Sequence, residues 1–376
     1  MIRSDIQKVA RYVGMYGVRR TAFKVFGRIR PGRLSLLWAS RKKREIGIIG
    51  CGQFAFATIG YVLWTFAGRT FQAAYDPSTP NLKSLARFYA GCKEAESAEE
   101  VIDDAAVRVV YIASNHASHS DYACRAMAAG KDVFVEKPVA VTSAQLERLK
   151  TAAASRRGRL FAGYNRPHSP AITTLRAFVG SRSSPFALSC QIWGFPIAAD
   201  HWYRHPEEGT RICGNLGHWI DLAFHIAAWG PVARVWQITC CYADVEEPDD
   251  NISVVMVSEH GDFVTIAFTS RTEPFEGITE TISLQCGDVL AKIDNFQSMT
   301  LWRGPSRRRF RYWPKDEGHI ASICQPFRKD SARAWEEILM SAEVTLFIKD
   351  MVTSRQNVAV FTFNAAARDE RPMPAE

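Results

Sequence analysis

The stretch GIIGCGQFA, residues 47–55, decides the fold of the first half of this 376-residue chain. A short β-branched run ends in Gly50, and the apolar residues that follow, up to Gly68, predict a helix packed against a sheet. The next run, TFQAAYD, predicts a second strand with Asp76 at its tip. The order of strand, glycine turn, helix, strand and acid is typical of a dinucleotide-binding unit.

Each residue of this turn has a physical role in such a unit. Gly50 permits the tight turn, Gly52 lets the backbone approach a pyrophosphate, and Ala55 replaces the third glycine so that helix and strand pack closely. A carboxylate at Asp76 accepts hydrogen bonds from ribose hydroxyls and repels a 2′-phosphate, and residues 77–79 contain no arginine to bind one. The pattern therefore favours NAD over NADP, and the alternative is that Asp76 only begins a turn.

Alternating strand and helix patterns continue to about residue 142. Helices are predicted over 82–89 and 119–129, and strands over 107–113 and 132–135. Repeated β-α-β units wound in one sense form a parallel sheet, whose ligand lies beyond the carboxyl ends of the strands. The candidate cofactor-binding residues at these ends are Gly50, Gly52, Gln53, Phe54, Asp76, Ser114, Asn115, His119, Glu136 and Lys137.

In the second half of the chain, hydrophobic residues recur with a different period. From residue 186 onward, runs that alternate with period two predict a largely antiparallel sheet with one open face, interrupted by a helix over 214–229. The predicted fold class is α/β, with an N-terminal Rossmann doubly wound parallel sheet and a C-terminal α+β domain. The predicted divisions are a basic extension (1–44), a dinucleotide-binding domain (45–165), a substrate-binding domain (166–367) and a flexible tail (368–376).

Charge is concentrated at the amino terminus. Residues 1–44 contain thirteen Lys or Arg and one acidic residue, Asp5, and apolar residues at helical spacing predict an amphipathic helix there. We expect this arm to dock on its own protein or a sister subunit, in preference to a membrane surface or nucleic acid. Basic residues 307–311 predict an exposed edge strand, so no nucleic-acid partner is expected.

The cysteines indicate the compartment. Nine cysteines without a C-x-x-C pair give neither a metal-ligand spacing nor a disulfide framework, so no metal is predicted and reduced thiols of a cytoplasmic protein are expected. The longest nearly uncharged apolar stretch, residues 54–68, is shorter than the roughly 20 residues of a membrane span.

Four stretches together resemble the glucose-fructose oxidoreductase, inositol dehydrogenase and MocA family of sugar and polyol dehydrogenases. They are GIIGCGQFA, VVYIASNHASHSDYACRAMAAGKDVFVEKPVAVT, FAGYNRPHSP and GTRICGNLGHWIDL, in order over residues 45–230. The resemblance implies that Lys137 lies between cofactor and substrate, that the Lys137–Pro138 peptide is cis, and that Glu136 holds the nicotinamide side. It also implies a dimer or tetramer formed through the open sheet.

The chemistry predicted for Lys137 follows from its place at a strand end. Oxidising a secondary alcohol removes a proton from oxygen and a hydride from carbon, and a nearby ammonium stabilises the developing alkoxide. The resemblance makes His218 the acid/base partner of this lysine, although Gly214 stands where many members have an aspartate. His218 therefore acts alone, is oriented by Asp221, or only binds substrate while Lys137 transfers the proton.

The substrate is expected to be rich in hydroxyl groups. Trp202 and Tyr203 suit stacking on sugar C–H faces, and Arg166, Arg204 and Arg211 suit a carboxylate or diphosphate. The candidate substrate-binding residues are Asn165, Arg166, Trp202, Tyr203, Arg211, Asn215 and Asp221. The predicted function is an NAD-dependent oxidoreductase of a sugar or sugar nucleotide, which the resemblance associates with surface-polysaccharide biosynthesis. The alternatives are an inositol or polyol dehydrogenase and a non-catalytic NAD-binding sensor.

Overall fold

A computed structural model describes residues 2–30, 42–155, 157–275, 277–315, 317–328 and 332–363 of the chain. The predicted tail at 368–376 lies outside these residues. The helices are α1 (Ile2–Tyr16), α2 (Val18–Ile29), α3 (Gly60–Val62), α4 (Thr79–Phe88), α5 (Ala98–Asp103), α6 (His119–Ala128), α7 (Ser143–Ala154), α8 (Pro170–Val179), α9 (Gly217–Ala227), α10 (Glu317–Ile323) and α11 (Trp335–Thr353).

The first sheet is the predicted parallel sheet. Its strands are β1 (Lys43–Ile49), β2 (Arg69–Tyr75), β3 (Lys93–Glu94), β4 (Val109–Ile112), β5 (Asp132–Val135) and β6 (Leu160–Ala162). They pair in the order β3-β2-β1-β4-β5-β6, and every pair is parallel. Strands β4 and β5 are almost wholly buried because helices cover both faces of such a sheet. The Rossmann fold predicted from residues 47–55 is therefore confirmed.

The helix after β1 is wound unusually. Two π-helical segments, Ala55–Ile59 and Leu63–Ala67, flank the short helix α3, and Gly68 ends the element in a left-handed conformation with φ of +65°. Within this helix, the carbonyl of Ala57 accepts a hydrogen bond from Arg20 and the carbonyl of Phe56 accepts one from the hydroxyl of Tyr89.

The second sheet has nine strands and one buried face. Its strands are β7 (Phe186–Trp193), β8 (Val235–Tyr242), β9 (Asn251–Ser258), β10 (Phe263–Thr269), β11 (Thr279–Cys286), β12 (Val289–Asp294), β13 (Ser298–Arg303), β14 (Ser306–Arg311) and β15 (Val358–Thr362). The order is β14-β13-β12-β11-β7-β10-β9-β8-β15, with one parallel pair, β7 with β10. Alternate residues face the core and solvent, so the open antiparallel sheet is confirmed, with β14 at its edge as predicted.

The amino-terminal arm forms a helical hairpin, α1 and α2, that packs on its own chain. Phe23 lies against the rings of Tyr61, Trp64 and Phe88, and the indole N–H of Trp313 donates to the carbonyl of Gly14. The hairpin therefore touches both the first Rossmann helix and the segment after β14. Within the described residues, no helix is long and apolar enough to cross a membrane.

Candidate active site

A cleft of about 790 Å³ runs along the carboxyl ends of the parallel strands and is closed on the other side by residues before and within α9. This volume is in the range of cofactor and ligand sites. All ten predicted cofactor-binding residues line it, and so do His218, Trp202 and Tyr203. The structure thus brings both candidate catalytic side chains, Lys137 and His218, to one cavity.

The glycine turn at one end of the cleft has no room for a side chain at position 50 and is open at position 52. Gly50 has φ of +91°, and a Cβ there would lie 2.4 Å from the carbonyl oxygen of Ala113. A Cβ on Gly52 would meet no atom within 4 Å. The turn therefore leaves an open approach to the backbone at Gly52, which is what a pyrophosphate needs.

Asp76 is held by the backbone on both carboxylate oxygens. The N–H of Cys51 donates to Oδ2 at 2.6 Å, and the N–H of Ser78 donates to Oδ1 at 2.7 Å. Each oxygen keeps further lone-pair capacity, so the oriented carboxylate remains able to accept ribose hydroxyls. Together with the open glycine turn, these residues fit the adenosine half of a nicotinamide dinucleotide.

His119 fixes the two strand ends in the middle of the cleft. Its Nδ1 lies 2.8 Å from the carbonyl oxygen of Pro138, and its Nε2 lies 3.2 Å from that of Ser114. Burial lowers the pKa of this imidazole, so the neutral ring, which has one N–H, is favoured. His119 therefore positions the turn that carries Lys137 relative to the end of β4.

Lys137 stands at the other end of the cleft. The Lys137–Pro138 peptide is cis, as the resemblance implied, and the ammonium donates to the carbonyl of Gly214 at 2.8 Å. Two of its three N–H donors remain for other partners in the cleft. The adjacent Glu136 is buried, and burial raises its pKa to about 7 although the charge of Lys137 opposes the shift.

His218 faces the same region but is not oriented by Asp221. Its Nδ1 is buried without a hydrogen-bond partner among the described residues. Burial, followed by the charges of Arg166 and Lys137, holds its pKa well below the usual value, so the imidazole is neutral. Asp221 is fully buried and accepts two hydrogen bonds from Arg333 and one from Ser341. The carboxylate of Asp221 is thus engaged in a buried ion pair with Arg333, and a substrate or orienting role for it stays a prediction without support from these contacts.

The departure at Gly214 has a structural cause. A Cβ at this position would lie 2.7 Å from the ring of Tyr203 and 3.0 Å from Cε1 of His116. The two aromatic rings occupy the volume that an aspartate side chain would need. The backbone carbonyl of Gly214 accepts the hydrogen bond from Lys137.

The three candidate anion-binding arginines are paired with carboxylates inside the protein. Arg166 makes a bidentate contact with Glu280 at 2.7 and 3.2 Å. Arg204 and Arg211 both bind Asp250, at 2.9 and 2.8 Å. None of the three lines the cleft, and neither do Asn165 and Asn215, which contact His319 and Arg211. The charges of the three arginines are matched by acids distant in sequence, and contact of these five side chains with a substrate stays a prediction.

Several residues at or beside the cleft were not selected from the sequence, and three of them carry polar side chains that bear on its chemistry: His116, His319 and Arg30. His116 and His319 line it, and His319 lies on α10, far from any quoted motif. Arg30, at the end of α2, donates to the carbonyl of Cys51 within the glycine turn. His116 lies at the carboxyl end of a predicted strand, between the selected residues Asn115 and His119, and could have been selected there, whereas no local pattern marks His319 or Arg30.

Comparison with known proteins agrees with the fold and with the nucleotide end of the cleft. Residues 44–164 match the model of the GFO_IDH_MocA family, described as an oxidoreductase family with an NAD-binding Rossmann fold. The chain is 28% identical over 176 residues to inositol 2-dehydrogenase of Ralstonia nicotianae, covering 46% of this chain and 49% of that protein. It is 25% identical over 199 residues to glucose-6-phosphate 3-dehydrogenase of Bacillus subtilis, covering 52% and 53%. The matched stretch thus spans about half the length of these curated relatives.

The solved structures extend the likeness over most of the chain. GenD2 from gentamicin A biosynthesis, solved in complex with NAD, has a TM-score of 0.69 and 17% identity, covering 86% of this chain and 97% of that protein. At this identity the likeness concerns the fold alone, and it includes both sheets.

Proposed function

We propose, on the premise that residues 44–164 belong to the GFO_IDH_MocA oxidoreductase family, that this protein is an NAD-dependent dehydrogenase or ketoreductase of a sugar or polyol. The observation that carries the proposal is that the cleft containing Gly52 and Asp76 also contains the ammonium of Lys137 and the imidazole of His218. Cofactor-binding and proton-transferring groups thus share one cavity.

The chemistry assigned to these residues is acid/base catalysis with charge stabilisation. A bound nicotinamide dinucleotide would accept the hydride in the direction of alcohol oxidation and would supply it in the direction of ketone reduction. Neutral His218 takes the hydroxyl proton, and the two available N–H donors of Lys137 stabilise the negative oxygen as it becomes a carbonyl. In the reverse direction, Lys137 polarises the ketone and protonated His218 returns the proton. Trp202 and Tyr203 bound the substrate side of the cleft.

The distribution of charge favours an uncharged sugar or polyol over a sugar nucleotide. Arg166, Arg204 and Arg211 are held by Glu280 and Asp250, so they are not available to a diphosphate. The ammonium of Lys137 stabilises the charge on the reacting oxygen, so it is not available to a diphosphate either. The similarity to inositol 2-dehydrogenase supports the same substrate class, and a sugar nucleotide of surface-polysaccharide biosynthesis becomes the second candidate.

Further parts of the proposal concern organisation. We place the domain bounds at 45–165 and 166–367. We also assign the open face of the nine-stranded sheet to a homo-oligomer interface, since Trp193, Phe263 and Leu290 are exposed there.

NAD is preferred over NADP because the carboxylate of Asp76 repels a 2′-phosphate. A cytoplasmic location is part of the same proposal and comes from the cysteine pattern.

The test is a substrate panel with the purified protein. Oxidation of NADH or reduction of NAD is followed with inositols, free keto-sugars, sugar phosphates, and UDP- and dTDP-sugars. Turnover with an uncharged polyol or sugar is expected. Turnover with nucleotide sugars alone would transfer the assignment to the second candidate. NADH binding without turnover on any class would contradict the enzyme and favour a cofactor sensor.

A further inference from the structure

The amino-terminal hairpin makes polar contacts with the first Rossmann helix as well as apolar ones. Arg20 is buried and donates to the carbonyl of Ala57 and, at 2.9 Å, to the hydroxyl of Thr58. A Cβ on Gly27 would lie 2.6 Å from the Cβ of Ala57, so α2 packs closely on this helix. The acceptors of Arg20 lie in the π-helical segment.

Arg30 ends the hairpin directly behind the glycine turn. Its backbone is left-handed, with φ of +46°, and its N–H donates to the carbonyl of Phe26. The side chain donates to the carbonyl of Cys51 at 2.7 Å and to the hydroxyl of Ser84 at 2.8 Å. The guanidinium lies 4.5 Å from the ring centroid of Phe56, so its position is fixed from three sides.

The contact to Cys51 acts on the atoms that face a bound pyrophosphate. The carbonyl of Cys51 and the N–H of Gly52 belong to one peptide unit and, in a trans peptide, point in opposite directions. A cation that hydrogen-bonds the oxygen withdraws electron density and makes the N–H a stronger donor. Gly52 lines the cleft, so this N–H belongs to the turn that would bind phosphate oxygens.

The same residue links the hairpin to Asp76. The N–H of Cys51 donates to the carboxylate of Asp76, while the carbonyl of Cys51 accepts from Arg30. The guanidinium of Arg30 and the carboxylate of Asp76, which is expected to bind ribose, are thus connected through a single residue, Cys51. This charge also offsets part of the repulsion between Asp76 and the negatively charged pyrophosphate of a dinucleotide.

We propose that Arg30 is a positioning residue of the dinucleotide site, which polarises the Cys51–Gly52 peptide and supplies positive charge for the cofactor pyrophosphate. The amino-terminal hairpin is then part of the cofactor site, although it lies outside the Rossmann unit. The inference rests on the proposed use of a nicotinamide dinucleotide, and it requires no knowledge of the substrate.

The experiment measures binding in the full-length protein without substrate. NADH affinity is determined by fluorescence titration, and ADP-ribose and adenosine are measured as competitors. Arg30→Gln should weaken NADH and ADP-ribose by about tenfold, because one charge-assisted interaction is lost. Adenosine affinity should change less than twofold, because adenosine has no pyrophosphate. Arg30→Lys should restore part of the loss.

Arg28→Gln is the matched control, since Arg28 is exposed on the same helix, and it should bind all three ligands normally. Thermal unfolding without ligand shows whether each variant is folded. An equal loss for adenosine and ADP-ribose would indicate a merely structural arginine and overturn the proposal, as would unchanged NADH binding in Arg30→Gln. Failure of the substrate panel leaves this experiment intact, because it reads binding alone.

Discussion

The two ends of the cleft use different parts of the chain. At the nucleotide end, Gly50 and Gly52 offer backbone and open space, and Asp76 is fixed by two backbone amides. At the reacting end, Glu136 and His218 are titratable side chains whose pKa values are shifted by burial. The first end therefore depends on backbone conformation, and the second depends on protonation state. Substitutions that change one end of the cleft and leave the other unchanged test this comparison.

The largest effect is expected from Lys137→Ala. Loss of the ammonium should lower kcat by roughly 10³-fold, because the reacting oxygen loses its charge stabilisation. NADH affinity should change little, since the glycine turn and Asp76 are untouched. Steady-state kinetics and NADH titration check both expectations, with the exposed residue in Lys83→Ala as the control. A parallel loss of NADH binding would show that the two ends are not independent.

Gly50→Ala should distort the glycine turn of the nucleotide end and destabilise the protein. The new Cβ would meet the carbonyl of Ala113 at 2.4 Å and would force a side chain into positive φ, so the free energy of unfolding should fall by roughly 3 kcal/mol. Gly68→Ala is the matched control, because Gly68 also has positive φ but has no atom within 4 Å of the added Cβ. Its cost should be about 1 kcal/mol in the same denaturant titration. Equal costs would remove the steric argument for Gly50.

Glu136→Gln should change the pH dependence of stability. Burial raises the pKa of Glu136 to about 7 in the folded protein from an ordinary value of 4.5. The folded state therefore binds the proton more tightly, and the wild type loses stability as pH rises from 4.5 through 7. The loss, at most about 3 kcal/mol, should be absent in Glu136→Gln and present in the exposed control Glu94→Gln. Denaturant titrations of the cofactor-free protein at pH 5 and pH 8 measure it.

Asp76→Ala should have the smallest effect and should sharpen the account of cofactor choice. Removing the carboxylate removes its repulsion of a 2′-phosphate and leaves Arg30 nearby. The ratio of NADPH to NADH affinity should rise by roughly tenfold. Fluorescence titrations with both cofactors provide the ratio, and Asp103→Ala, at an exposed position, is the control. An unchanged ratio would contradict the assignment of Asp76 to the ribose.

The nucleotide end could be predicted from the sequence because its determinants are local. A β-branched run, a glycine turn and an acid at the next strand tip specify geometry within about 30 residues. The same holds for the open sheet, since period-two burial is a property of each strand. The winding of the first Rossmann helix into π-turns was not predicted, because no local sequence pattern distinguishes it from an α-helix.

The reacting end was predicted only in part because its partners are distant in sequence. Lys137 and His218 were selected from their motifs. By contrast, Glu280, which binds Arg166, and Arg333, which binds Asp221, each lie more than 100 residues from their partner in the sequence. Sequence alone shows that an arginine is present and does not show whether its charge is already matched. The missing information was long-range pairing, which bears on the choice between a sugar and a sugar nucleotide as substrate.

Gly214 has a consequence for how the protein tolerates change. Because the rings of Tyr203 and His116 fill the space above it, installing an acid there requires room to be made at both rings first. Positions 116, 203 and 214 are therefore coupled, and an acid at position 214 should cost less stability when the rings at 116 and 203 are first replaced by smaller side chains.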